Sequence, residues 1–215
     1  MKNLFCILLG VIVICSCGTE SENGHADSLI NTGNPSDSLK KSITENLSTQ
    51  TGIEQFKWSY SAFVRAFTSD NDSLMSVFIH PQHGTWVIYA DGAMPQFKNA
   101  GNVKALKNTG NYPFLPLKKN DMVTVPVEEE LPVKNCETRS GYNKEGCFTT
   151  EQNILSEQQL WQYAGLNADD EDKVKAAAAT IRRTVINTLN YTFYFSLIDG
   201  GWYLTFIDIR KPCSA

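Results

Sequence analysis

Residues 18–50 carry no aromatic side chain and are rich in Ser, Thr, Asn, Asp, Glu and Gly. Such a stretch cannot bury enough apolar surface to offset the entropy of ordering it. A core must therefore be built from residue 51 onward, where all four Trp lie. That leaves 165 residues, the size of a single domain, 51–215. The residues before it read as a flexible tether over 17–50, reaching about 30 Å root-mean-square by the scaling for soft linkers.

Ahead of the tether, Lys2 gives a positive flank and residues 4–15 are almost unbroken hydrocarbon. A spanning helix needs roughly 20 apolar residues. This run stops several short of that at Gly18, Thr19 and Glu20, so residues 1–16 are expected to be a removable leader. The phrase Ile14-Cys15-Ser16-Cys17 resembles the lipobox of bacterial lipoproteins, which are cut before a cysteine that then carries fatty acid. An ordinary secreted protein and a spanning anchor are the competing readings. The lipoprotein resemblance implies acylation of Cys17 with palmitate-type chains. More than one chain anchors stably where a single chain is marginal. It also implies residence at a bacterial cell envelope, with the outer membrane favoured and the periplasmic or surface face left open. Asp27-Ser28-Leu29 and Asp37-Ser38-Leu39 resemble the Asp-(Ser/Thr)-aliphatic phrase glycosylated on exported Bacteroidota proteins, making Ser28 and Ser38 candidate O-glycosylation sites.

Loss of the leader removes Lys2 and no acid, taking the formal charge from −4 to −5. A mildly acidic surface without a basic stripe repels phosphate backbones, so nucleic acid is not an expected partner. Cys136, Cys147 and Cys213 remain in a compartment where disulfides persist. Cys136 and Cys147 enclose a polar, Gly-containing loop and are the expected pair, worth about 3 kcal/mol on the chain-entropy relation. Cys213 is then unpaired, bonded to another molecule, or the true partner of one of the other two.

Ile53, Phe56, Tyr60, Phe63, Val64 and Phe67 recur at helical spacing and predict an amphipathic first helix. A short second helix over 73–78 leads into His80-Pro81-Gln82-His83-Gly84, and 86–89 reads as a strand. Helical turns are expected near 99–106 and over 156–164, and a strand broken by Pro126 over 122–127. Asp169-Asp170-Glu171-Asp172, an alanine run and Arg182-Arg183 predict a helix over 173–181 with acids at its start and bases at its end. Asp199-Gly200-Gly201 between two β-rich runs spells a hairpin. The fold class is α+β: a curved, mainly antiparallel sheet with helices packed on one side.

This layout, with Ile79-His80-Pro81-Gln82-His83-Gly84-Thr85-Trp86-Val87 and a final hairpin around Gly200-Gly201-Trp202-Tyr203-Leu204, resembles the cone-shaped nuclear transport factor 2-like (cystatin-like) superfamily. More narrowly, it is similar to Bacteroidota lipoproteins in which an HP-x-x-G phrase follows the second helix. The superfamily holds isomerases, dehydratases, cyclases and plain binding domains, so fold alone selects no activity. No catalytic constellation aligns onto this chain. His80 and His83 lack further ligands for a metal, and their expected role is a turn in which His80 hydrogen-bonds a carbonyl. Candidate pocket residues are His80, Tyr194, Trp202 and Asp208, the last sharing the face of Phe206 if that strand is regular. The expectation is a lipid-anchored protein, without cofactor or metal, that binds an envelope protein, a peptide or a small ligand. The alternatives are a small-molecule lyase or isomerase acting in a cone-shaped pocket and an oligomeric envelope-maintenance subunit.

Overall fold

The computed structural model describes residues 36, 37, 39, 40, 52–69, 71–90, 92–107, 122, 123, 125–189 and 191–213. Cys17, Ser28 and Ser38 lie outside these residues. Within the stretch expected to be a tether, Ser36, Asp37, Leu39 and Lys40 are helical, and Leu39 packs on the main core, so at these positions the chain is docked on the domain.

Helix α1 (Gly52–Thr68) follows the predicted stripe, burying Phe56, Tyr60, Phe63, Val64 and Phe67. Helix α2 (Asp72–Ser76) is capped by Asn71, whose side chain accepts from the amides of Ser73 and Leu74. Next come β1 (Thr85–Ala90), β2 (Pro95–Ala100), α3 (Val103–Lys107), β3 (Val127–Glu128) and β4 (Cys147–Thr150). Helix α4 (Ile154–Gln158), a 3₁₀ turn (Leu160–Tyr163) and α5 (Ala168–Ala179) precede the last strands, β5 (Ile181–Asn187), β6 (Thr192–Ile198) and β7 (Gly201–Asp208). These strands form one open sheet in the order β2-β1-β7-β6-β5-β4-β3, with β1 parallel to β7, β3 parallel to β4 and the other pairs antiparallel. The α+β class holds.

Helices cover both faces, where one covered face was expected. Val87, Val185, Phe193, Phe195, Leu204 and Ile207 meet α1, α2 and α3. Trp86, Ile88, Ile181, Tyr194 and Phe206 meet Leu155, Trp161, Val174 and Ala178 of α4, the 3₁₀ turn and α5. Alternate residues of the same strands serve the two layers, as the pleat requires.

Two register shifts decide which face several side chains reach. Phe195 pairs with Leu204 and Tyr194 with Phe206, so Thr205 is an extra residue in β7. Without it, period two would put residues 202, 204, 206 and 208 on one face. The bulge instead leaves Trp202 and Leu204 toward α1 and sends Phe206 to the α5 side. A second shift falls between Ile181 and Arg183. It follows α5, which ends at Ala179, two residues before the predicted end, so Arg182 and Arg183 are strand residues and not a basic helix end. Buried Arg183 reaches Glu128 at 2.8 Å and Glu151 at 2.9 Å, tying β5 to the short edge strand.

The expected Cys136–Cys147 bridge is replaced by Cys136–Cys213, with Cα atoms 5.5 Å apart. Cys147 opens β4 only 3% exposed, within the core against α1, its Sγ 3.7 Å from the Tyr60 hydroxyl. Reaching Cys136 would pull it out of the ladder with β5. The loop that seemed to need a clasp is closed by its own backbone: Lys134 bridges Tyr142, and the Asn135 amide donates to the Gly141 carbonyl at 2.8 Å.

Candidate functional site

The four candidate pocket residues go to three places. Trp202 is core, its ring 4.8 Å from that of Phe56 on the α1 face. There Phe56, Tyr60, Phe63, Phe193 and Phe195 fill the interior edge to face. His80 lines one cleft, and Tyr194 and Asp208 line another.

The His80 cleft, about 500 Å³, lies between the turn before β1 and α5. The turn is closed by the Gly84 amide donating to the His80 carbonyl at 2.8 Å, with Gly84 at φ 65°. A Cβ there would lie 2.6 Å from Asn99 Oδ1 and 2.8 Å from the Ala100 carbonyl, so this position requires glycine. His80 does not donate to a carbonyl as expected. Its Nδ1 accepts from the amides of Gln82 and His83 at 3.2 and 3.3 Å, so the proton of the neutral ring sits on Nε2. Burial holds its pKa below the ordinary 6.5, the neighbouring His83 adds to that, and Asp199 opposes it. Among the described residues no three His, Cys, Asp or Glu side chains gather as a metal would require.

The second cleft, about 430 Å³, is walled by the 130–134 segment and α4 and floored by the ends of β5, β6 and β7. The floor holds an ion pair built within one short stretch. Arg210 Nε donates to Asp208 Oδ1 at 2.9 Å, Nη2 to Oδ2 at 2.7 Å, and the Arg210 amide to Oδ1 at 3.1 Å. Both side chains are largely withdrawn from water, 11% exposed for Asp208 and 18% for Arg210. Beside the pair lies Tyr194, 1% exposed, with the Phe206 ring edge-on at 6.2 Å. Burial pushes the Tyr194 phenol well above 10, the Asp208 charge pushes it further, and Arg210 opposes. The Tyr142 phenol, from the loop wall, is raised by burial and by the Asp208 charge, with Thr192 and the Arg210 charge opposing. Two protonated phenols thus meet a neutralised ion pair in one cavity.

Asp208 and Phe206 do share a face, because the bulge precedes both. Tyr142 and Arg210 were missed. The Asp-x-Arg spacing is the sequence signal that could have pointed to Arg210, whereas nothing in the sequence around Tyr142 ties it to the last strands. The Cys136–Cys213 bridge joins the loop wall to the chain beyond Arg210, so the wall is fixed covalently to the floor, and Pro212 lies so near Gly141 that a Cβ there would come within 2.7 Å of it.

Comparison with family models, with curated proteins and with solved structures finds no match to this chain. No helix of the described residues is long and apolar enough to cross a membrane.

Proposed function

We propose that this chain is a lipid-anchored protein of the bacterial envelope whose folded domain binds a small ligand or peptide segment in the cleft over Tyr194, Asp208 and Arg210. One observation carries the reading. Elsewhere in this layer Tyr194's neighbours form a packed core, yet Tyr194, 1% exposed, lines a cavity of about 430 Å³ together with an ion pair. A nuclear transport factor 2-like architecture is supported by the succession of two helices, a hairpin, a short helix and further strands, and by the return of the last strand beside the first.

Binding is favoured over lyase or isomerase chemistry. The α1 face is filled by aromatic rings, and both Asp208 oxygens are engaged by Arg210, so the carboxylate has no freedom to act as a base without breaking its pair. Mass spectrometry under native conditions, on protein purified from its producing cells, is expected to find a retained small molecule. Gln158→Trp, which fills the cleft from an exposed position on α4, is expected to release it. Retention unchanged in Gln158→Trp would place the ligand elsewhere. The anchoring half of the reading predicts that labelled palmitate enters the protein and that Cys17→Ser frees it from membranes.

A further inference from the structure

The hydrogen-bond balance of the Tyr194 cleft is one-sided. Asp208 Oδ1 accepts from Arg210 Nε and from the Arg210 amide, and Oδ2 accepts from Nη2. The acceptor side of the pair is therefore largely spent. On the donor side, Arg210 lines the cleft and its Nη1 makes no hydrogen bond among the described residues. The Tyr194 hydroxyl likewise ends on none of them, although the residue is 1% exposed and lines the cavity. Neither atom is sealed from solvent, so water in the cleft can satisfy both donors, and an occupant that supplies an acceptor takes the place of that water in a partly enclosed site.

Charge narrows the class of occupant. The titratable side chains lining the cleft besides the tyrosines are Glu130, Glu157 and Asp208 against Lys134 and Arg210, an excess of one acid. The innermost charges, Asp208 and Arg210, cancel one another. An anion would meet Arg210 only together with its carboxylate partner and would pass two glutamates at the rim. The remaining wall sets apolar Leu131, Pro132, Ile154 and Ile186 beside the neutral polar side chains of Gln152, Gln158 and Thr192.

We infer that the cleft takes a neutral ligand with an apolar body and a carbonyl-type oxygen, as in an amide or ketone, the oxygen accepting from the Tyr194 hydroxyl and from Arg210 Nη1. This rests on the proposed binding function and specifies its ligand class. The phenol remains a donor throughout the physiological range, since burial keeps it protonated.

Three probes of one chain length separate the possibilities: hexanamide, hexanoate and hexylammonium, titrated into the purified chain and followed by NMR and tyrosine absorbance. Hexanamide is expected to bind saturably, to compete with Gln158→Trp occupancy of the cavity by losing its site in that variant, and to bind about ten-fold more tightly than hexanoate. Tyr194→Phe, which removes one oxygen and no ring atoms, should weaken hexanamide about five-fold while leaving hexylammonium unchanged. In the unsubstituted chain the tyrosine absorbance should move to longer wavelength as the phenol gains an acceptor, a readout that does not depend on any variant folding. Equal affinity of Tyr194→Phe for hexanamide, no absorbance shift on saturation, or hexanoate binding as tightly would each overturn the donor assignment. Native retention of a ligand that Gln158→Trp releases would leave the binding function standing in that case. Absence of both retained ligand and probe binding would remove the two together.

Discussion

Burial beside Tyr60 pushes the Cys147 thiol from its ordinary 9.0 up to about 11, and the hydrogen bond from Tyr60 recovers only part of that. At pH 8 the folded protein thus presents no thiolate at this position, and iodoacetamide should label Cys147 only after denaturant is added, as mass spectrometry of tryptic peptides will show. The same shift has a sign for stability. The unfolded chain ionises first, so the contribution is complete below pH 9 and disappears as pH rises toward 11, a loss of about 2 to 3 kcal/mol in urea titrations. His80 works in the opposite direction. Its folded pKa lies below 6.5, so the stability it lends is present above that value and falls away on acidification, as Nδ1 gains a proton that faces two amide donors. Replacing it with Leu strands those amides at a cost of about 1 to 2 kcal/mol. His80→Asn, whose side-chain oxygen can occupy the Nδ1 position, should recover most of this in the same titrations and abolish the acid dependence.

Among the elements, the glycine turns at Gly84, before β1, and at Gly200, before β7, differ in how much they tolerate. Gly200 sits at φ 77° after Asp199 at φ 50°, the two-residue reversal favoured between twisted strands, and an added Cβ there meets nothing within 4 Å. Gly200→Ala should therefore cost about 1 kcal/mol, from backbone conformation alone. Gly84→Ala adds a collision with the β2 backbone and should cost at least twice as much, measured by the shift in denaturant midpoint. Elements with a strong local signal were legible: α1 from its apolar stripe, the β6–β7 hairpin from Asp199-Gly200, and α5 from its acidic start. Strands β2 and β4 were not, because Pro95–Ala100 and Cys147–Thr150 carry no alternation that separates them from loop. The site was half legible. Tyr194 and Asp208 stood out as an aromatic and a carboxylate on the last strands, but a one-residue insertion at Thr205 decides that Asp208 parts company with Trp202, and no composition rule announces a bulge.

For the molecule as a whole, the Cys136–Cys213 connection spans 77 residues that include α4, α5 and four of the seven strands. On the chain-entropy relation such a closure stabilises the fold by about 4 kcal/mol, and Cys213→Ser should lose an amount of that order in equilibrium unfolding. The pairing also bears on how the protein answers force. Pulled from its two ends, an oxidised molecule passes tension from Cys213 directly to Cys136, and everything between them is bypassed by a covalent shortcut. In an optical trap the oxidised chain should extend about 260 Å less on full rupture than the same chain after a dithiol has cut the link. A chain held by one end and tugged at the other would keep Tyr142, Tyr194, Asp208 and Arg210 inside the shielded ring and leave the 130–134 wall outside it, so that hauling on the tail strips away α1, the first hairpin and that wall before it disturbs Tyr194.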